Sequence, residues 1–117
     1  MATSFKNKYG EVSISSTVVA NLACASVMET YGVVGLASKN AKDGIYQLLG
    51  IENMRKGVKI YNNEDNSIDV KISLFLEYGV RIAVVAENIM EKVKYNIENS
   101  LDIKVRNVNI LIQGIRK

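Results

Sequence analysis

The run Glu77-Tyr-Gly-Val-Arg-Ile-Ala-Val-Val-Ala-Glu-Asn-Ile-Met-Glu-Lys-Val-Lys-Tyr-Asn-Ile-Glu-Asn-Ser-Leu101 decides the fold class. It closes a strand, turns at Gly79 and enters the clearest amphipathic helix of the chain. Ile82, Val85, Ala86, Ile89, Val93 and Ile97 recur at spacings of three and four, so they share one stripe of a helix with 3.6 residues per turn. That stripe must be covered by something apolar.

The segment before it supplies the cover. Ile68, Val70, Ile72, Leu74 and Leu76 alternate with Asp69, Lys71, Ser73, Phe75 and Glu77, the period of a strand with one buried face. The turn cluster Asn62-Asn63-Glu64-Asp65-Asn66-Ser67 joins it to an earlier strand containing Val58 and Ile60, which predicts a hairpin. After the helix, Ile103 and Val105 set one parity and Val108, Ile110 and Ile112 the other, which predicts a β-bulge near Asn107. Leu111 and Ile115 then fall on the outer face, as does Phe75 on its own strand, and together they form a candidate contact surface.

Toward the N-terminus, Val33 to Ala37 reads as a strand, and 38–44 as a polar connection. Ile45 to Leu49 reads as a short helical turn. A first helix runs from a cap at Ser15 or Ser16 to about Tyr31, with Gly32 just beyond it. It is apolar on most of its circumference: from Val18 to Glu29 only Asn21, Ser26 and Glu29 are polar. Such a helix is sandwiched, either between sheet and second helix or with a partner subunit added. Glu11 to Ile14 alternates as a short half-buried strand, and residues 1–8 read as a flexible lead-in to a single domain over 9–117. The expectation is an α+β fold: two helices packed on one face of a small mixed β-sheet, in the order β-α-β-β-β-α-β.

Composition excludes much chemistry. The 117 residues include no histidine and a single cysteine, Cys24, set among Ala23, Ala25 and Val27. The usual general base and the Ser/His and Cys/His pairs are therefore missing, and no disulfide forms within the chain. A net charge of +3 is far from the footprint of a dedicated nucleic-acid binder, and the tyrosines do not interleave with the basic C-terminal segment. No stretch approaches the roughly 20 apolar residues of a membrane span, and the N-terminus has no signal-peptide core, so a cytoplasmic protein without direct membrane insertion is expected.

Three polar groupings merit weighing. Glu87 and Glu91 are neighbours on a helix surface, but Glu91 stands three residues before Lys94 and the pair reads as a solvated face. Gly50 to Gly57 holds Asn53, Arg55 and Lys56 between two glycines, yet lacks the spacing of a phosphate-binding P-loop and reads as a structured loop. Lys104, Arg106, Arg116 and Lys117 follow the last acid, Asp102, and suit either an acidic partner or a charge-guarded strand edge. An alternative function as a small-molecule or anionic lipid-headgroup binder would use the Asn53–Lys56 loop with these C-terminal cations.

Taken together, several segments resemble the alkaline shock protein and general-stress-type envelope protein family of Gram-positive bacteria, and within it the small YloU-type members. They are Tyr9 to Ser15, Tyr31 to Asn40, Glu52 to Ile60, Ile68 to Val70, Glu77 to Ile82 with Val85 to Asn88, Val108 to Ile110 and Gln113 to Ile115. Two departures stand out: Ala83 where relatives often have proline, and Ser100-Leu101-Asp102 in place of Thr-Gly-Leu. The resemblance implies a non-enzymatic cytoplasmic scaffold or assembly protein of the envelope stress response, peripheral at the membrane through a membrane-associated protein partner. It also implies self-association into a homo-oligomer, no cofactor, and a link to lipid metabolism through a neighbouring fatty acid kinase.

Overall fold

The computed structural model describes residues 2–39, 42 and 44–117. Its elements are β1 (Ala2–Asn7), β2 (Gly10–Ser15), α1 (Ser16–Met28), β3 (Val33–Lys39), β4 (Tyr46–Leu48), a 3-10 segment (Ile51–Gly57), β5 (Val58–Asn62), β6 (Ile68–Glu77), α2 (Ile82–Leu101) and β7 (Val105–Arg116). Two helices lie on one face of a five-stranded mixed sheet, the α+β architecture expected from the alternation of the two periods.

β6 is the centre of that sheet. One of its edges pairs antiparallel with β3 along its upper half and with β5 along its lower half, while the other edge pairs parallel with β7 along its whole length. The inward residues Ile68, Val70, Ile72, Leu74 and Leu76 are all 0 % exposed. They meet Val19, Ala23 and Val27 of α1 and Val85, Ile89, Val93 and Ile97 of α2 in one core. Between β6 and β7 the chain must cross over, because parallel neighbours cannot be joined by a tight turn, and α2 is that crossover.

Each helix is anchored at one end by a side chain. The Ser15 hydroxyl accepts from the Val18 N–H at 3.4 Å and caps α1. α2 ends where Asp102 adopts a left-handed conformation (φ 55°), and the Glu98 carboxylate turns back to accept the Val105 N–H at 3.0 Å, tying the helix end to the start of β7. Ser26, buried in α1, donates to the Leu22 carbonyl and accepts from Asn96 of α2 at 2.8 Å. An exposed ion pair of Lys92 with Glu29 bridges the same two helices.

Three local expectations are corrected. Residues 2–7 form a strand paired with β2 through a two-residue Lys8-Tyr9 turn, so the first strand of the order β-α-β-β-β-α-β becomes a hairpin. β2 is less buried than a half-buried strand would be, because the main sheet does not extend beneath it; only Ile14 is partly covered. The Ile45–Leu49 segment is strand β4 on the edge of β3, since Tyr46, Gln47 and Leu48 find free backbone partners at Lys39, Ser38 and Ala37. The connection at 38–44 overlaps residues 40, 41 and 43, which lie outside the described residues.

Gly57 closes the 3-10 segment against β3. A Cβ there would stand 2.9 Å from both the Ala37 carbonyl oxygen and the Leu36 Cβ, contacts that backbone cannot yield cheaply. Gly57→Ala should therefore lower stability by about 1–3 kcal/mol in urea unfolding. Gly50→Ala, where a Cβ would meet nothing within 4 Å, should stay within about 0.5 kcal/mol of the parent. Equal midpoints for the two variants would refute this packing.

Candidate interaction surfaces

Because both helices cover one face of the sheet, the other face is open, and the strand register sets what it shows. Across β5, β6 and β7 the outer rows read Tyr61, Asp69, Asn107, then Lys59, Lys71, Asn109. Further along β6 and β7 they read Ser73 beside Leu111, and Phe75 beside Gly114. Phe75 is half-buried because its ring lies over Gly114, where an added Cβ would come within 3.2 Å of it, and Gly35 of β3 flanks it on the other side. Leu111 is half-buried two rows below Gly114.

Ile115 does not join them. β7 contains the bulge expected near Asn107, at Arg106, and a second one at Gln113, which places Gly114 opposite Phe75 and Ile115 opposite the inward-facing Leu76. Ile115 thus belongs to the helix side of the sheet, at its end, where it is 43 % exposed. The second shift of parity moved it.

The candidate cations are spread over separate places. Asn53, Arg55 and Lys56 are exposed on the 3-10 segment, and Arg55 lines a shallow depression of about 340 Å³ with Lys59, Ser16 and Thr17 at the start of α1. Lys104 lines another depression, of about 490 Å³, with Lys6 and Glu11 of the hairpin and Asp65 and Asp102. Arg106 is held by Asp69 at 3.2 Å. Arg116 and Lys117 border an open trough of about 650 Å³ with Glu77 and Tyr78, and Lys117 stands over the Tyr78 ring. Among the described residues no group of three or more acidic, cysteine or histidine side chains could hold a metal ion.

Two more surface features follow from the structure, the second being the outer side of the first helix, whose sequence is apolar on most of its circumference. Lys59 and Lys71 are directly opposite each other, an unfavourable like-charge pair that hairpin parity alone could have revealed. On α1, Val18 and Met28 are 45 % and 42 % exposed, with Leu22 half-buried and Ala25 exposed between them. This stripe is the surplus of a helix apolar all round: sheet and α2 use one side, and the other is left over.

A family model described as having a cell envelope-related function matches residues 4–117. The chain belongs to the alkaline shock protein 23 family. It is 38 % identical to the uncharacterized protein YloU of Bacillus subtilis (strain 168), over 99 % of this chain and 97 % of that one. It is also 38 % identical to the uncharacterized protein Spy1614 of Streptococcus pyogenes serotype M6, over 99 % of this chain and 96 % of the relative. A more distant relative, the uncharacterized protein YqhY of Bacillus subtilis, is 28 % identical over 92 % of this chain and 78 % of its own. No solved structure matches. The family and these relatives carry no enzymatic name, and no helix among the described residues is long and apolar enough to cross a membrane.

Two titrating groups illustrate how the surroundings tune chemistry here. Burial raises the Cys24 thiol to about 11, so almost no thiolate exists near neutrality. Alkylation by iodoacetamide at pH 8 should be on the order of a hundredfold slower in the folded chain than in urea; comparable rates would show that the site opens. Asp65, in the β5–β6 turn, is held below the usual carboxylate range by the Ser67 hydroxyl and then the Ser67 backbone N–H. Its folded pKa is depressed, so its stabilising effect is complete above the unfolded value of about 3.9 and is lost as pH falls through the folded one. The stability gap between the parent chain and Asp65→Asn should be widest near neutrality and close toward about pH 2, as read from urea midpoints against pH.

Proposed function

We propose that this chain is a non-enzymatic assembly or scaffold module of cell-envelope homeostasis, working in the cytoplasm and reaching the membrane through a protein partner. The observation that carries this reading is the apolar stripe Val18, Leu22, Ala25 and Met28 on the solvent side of α1. From Val18 to Met28 it is roughly 15 Å long at the helical rise of 1.5 Å per residue. A helix that needed only the sheet and α2 would carry polar residues there, and leaving this stripe in water forgoes the gain from burying it. The envelope-related family supplies the setting. The link to membrane lipid metabolism is the finer part of the reading and rests on the family resemblance.

The alternative, an anionic-ligand regulator, is less well supported. It needs the Asn53–Lys56 loop and the C-terminal cations to act on one ligand, whereas Arg55 and Lys104 line different depressions and Arg106 is already paired.

A photo-crosslinking residue placed at the exposed Ala25 should capture a defined protein in living cells. Val18→Glu should abolish that adduct while leaving the thermal midpoint of the purified chain within a few degrees. Absence of any adduct from Ala25, or an adduct indifferent to Val18→Glu, would remove the scaffold reading of α1.

A further inference from the structure

We infer that β7 is the site at which two copies of this chain join, edge to edge and antiparallel, into one continuous sheet with a two-fold axis through Ile110. The inference rests on the assembly reading above and names a partner for it.

The first observation is an edge whose central run is without defences. β7 is twelve residues long and pairs only with β6 among the described residues, so alternate backbone N–H and C=O groups along its far side have no strand partner. Edges elsewhere in the sheet are short: β4 has three residues and β5 five. Protein edges are ordinarily blunted by proline, by charge or by a central bulge. From Asn107 to Gln113 the chain has no proline, no charge and no glycine, and its bulges lie at the ends, at Arg106 and Gln113. A segment of this length and composition, left bare, is an aggregation hazard.

The second observation is what the edge shows. Val108, Ile110 and Ile112 point to the helix side but remain half-buried, because β7 is the last strand beneath α2. α2 leans toward α1 through Lys92 and Asn96. By helical spacing Ala86, Met90 and Leu101 are turned to the opposite side, above the edge, and Met90 is 37 % exposed. An apolar strip therefore runs along the bare edge.

The third observation selects a second copy. A two-fold axis perpendicular to the sheet keeps inner residues with inner ones, so it must pass through a residue. Centred on Ile110, it sets Ile110 against itself, Val108 against Ile112 and Asn109 against Leu111. The inner row then becomes unbroken aliphatic, and no like charges meet within the regular run. Of the cations at its ends, Arg106 binds Asp69 and Arg116 is in register with Glu77. A two-fold junction also uses the bare edge of both copies, leaving no template for further growth there.

Sedimentation of the purified chain should give a dimer, and Ile110→Lys, a charge pointing inward at the junction, should weaken it at least tenfold. Register is read from cysteines on the outer face. Asn109→Cys mixed with Leu111→Cys should form an oxidative cross-link at least tenfold more efficiently than either variant alone, since the diagonal partners of each alone are too far apart for a disulfide. That measurement stands even if Ile110→Lys fails to fold. A folded Ile110→Lys chain that dimerises like the parent, or a cysteine pattern without this register, overturns the inference while leaving the α1 adduct untouched. A parent chain that is monomeric at about 100 μM, with its β7 amides protected from exchange only in lysate, would assign the edge to a different protein and also overturn it.

Discussion

Everything in this molecule depends on the burial of one row of side chains, the inward face of β6. Ile68, Val70, Ile72, Leu74 and Leu76 are removed from water completely, and each fully buried aliphatic side chain contributes about 1.5–3 kcal/mol of transfer free energy. That burial requires cover from above and pairing on both sides. Cover comes from two helices, and pairing from β3, β5 and β7, so the position of every other element of the main sheet follows from the needs of this strand. The polar network of Ser26 and Asn96 then sets how the two helices meet, because a buried hydroxyl left without partners would cost about 1–3 kcal/mol.

A single central strand also explains the asymmetry of the surface. Two helices suffice for one face of a small sheet, and nothing remains to cover the other. The open face is made tolerable in water by Lys59, Lys71, Asp69, Asn107 and Asn109 over its lower part, and by folding Phe75 onto Gly114 higher up. The aromatic ring and the glycine form a pair: the missing side chain makes room for the ring, and the ring shields the bare backbone.

Where periodicity was strong, the sequence could be read directly. The α2 stripe and the β6 alternation give their elements, their buried faces and the α+β class, and the parity change between Val105 and Val108 gives the first bulge. Where local signals are short or silent, periodicity misleads for identifiable reasons. Three residues of β4 are too few to establish a period, and their strand character comes from the free edge of β3. The second bulge hides because Gly114, next to it, has no side chain whose face could betray the change, so alternation alone assigns Ile115 to the wrong side. Glycine inside a strand is itself a bulge signal. The scatter of the cations is tertiary: sequence proximity grouped Lys104 with Arg106, whereas Asp69 claims one and the N-terminal hairpin borders the other.

The apolar first helix ties stability to what the surface displays. On a helix serving only its own core, the inward and outward sides differ, and evolution can tune each separately. α1 spends Val19, Ala23 and Val27 inward while Val18, Ala25 and Met28 face out, so adjacent positions serve opposite demands. A slip in the helix's rotation by about 100°, one residue, would exchange them at little hydrophobic cost. What resists that slip is polar: the Ser15 cap, Ser26 bonded to Asn96, and Glu29 paired with Lys92. Of these, only the Ser26–Asn96 bond is buried enough for its loss to be expensive, since exposed ion pairs contribute about 0–1 kcal/mol. In a helix whose hydrophobic pattern does not specify its own orientation, one buried hydroxyl carries that information, and it thereby decides which side of α1 faces solvent.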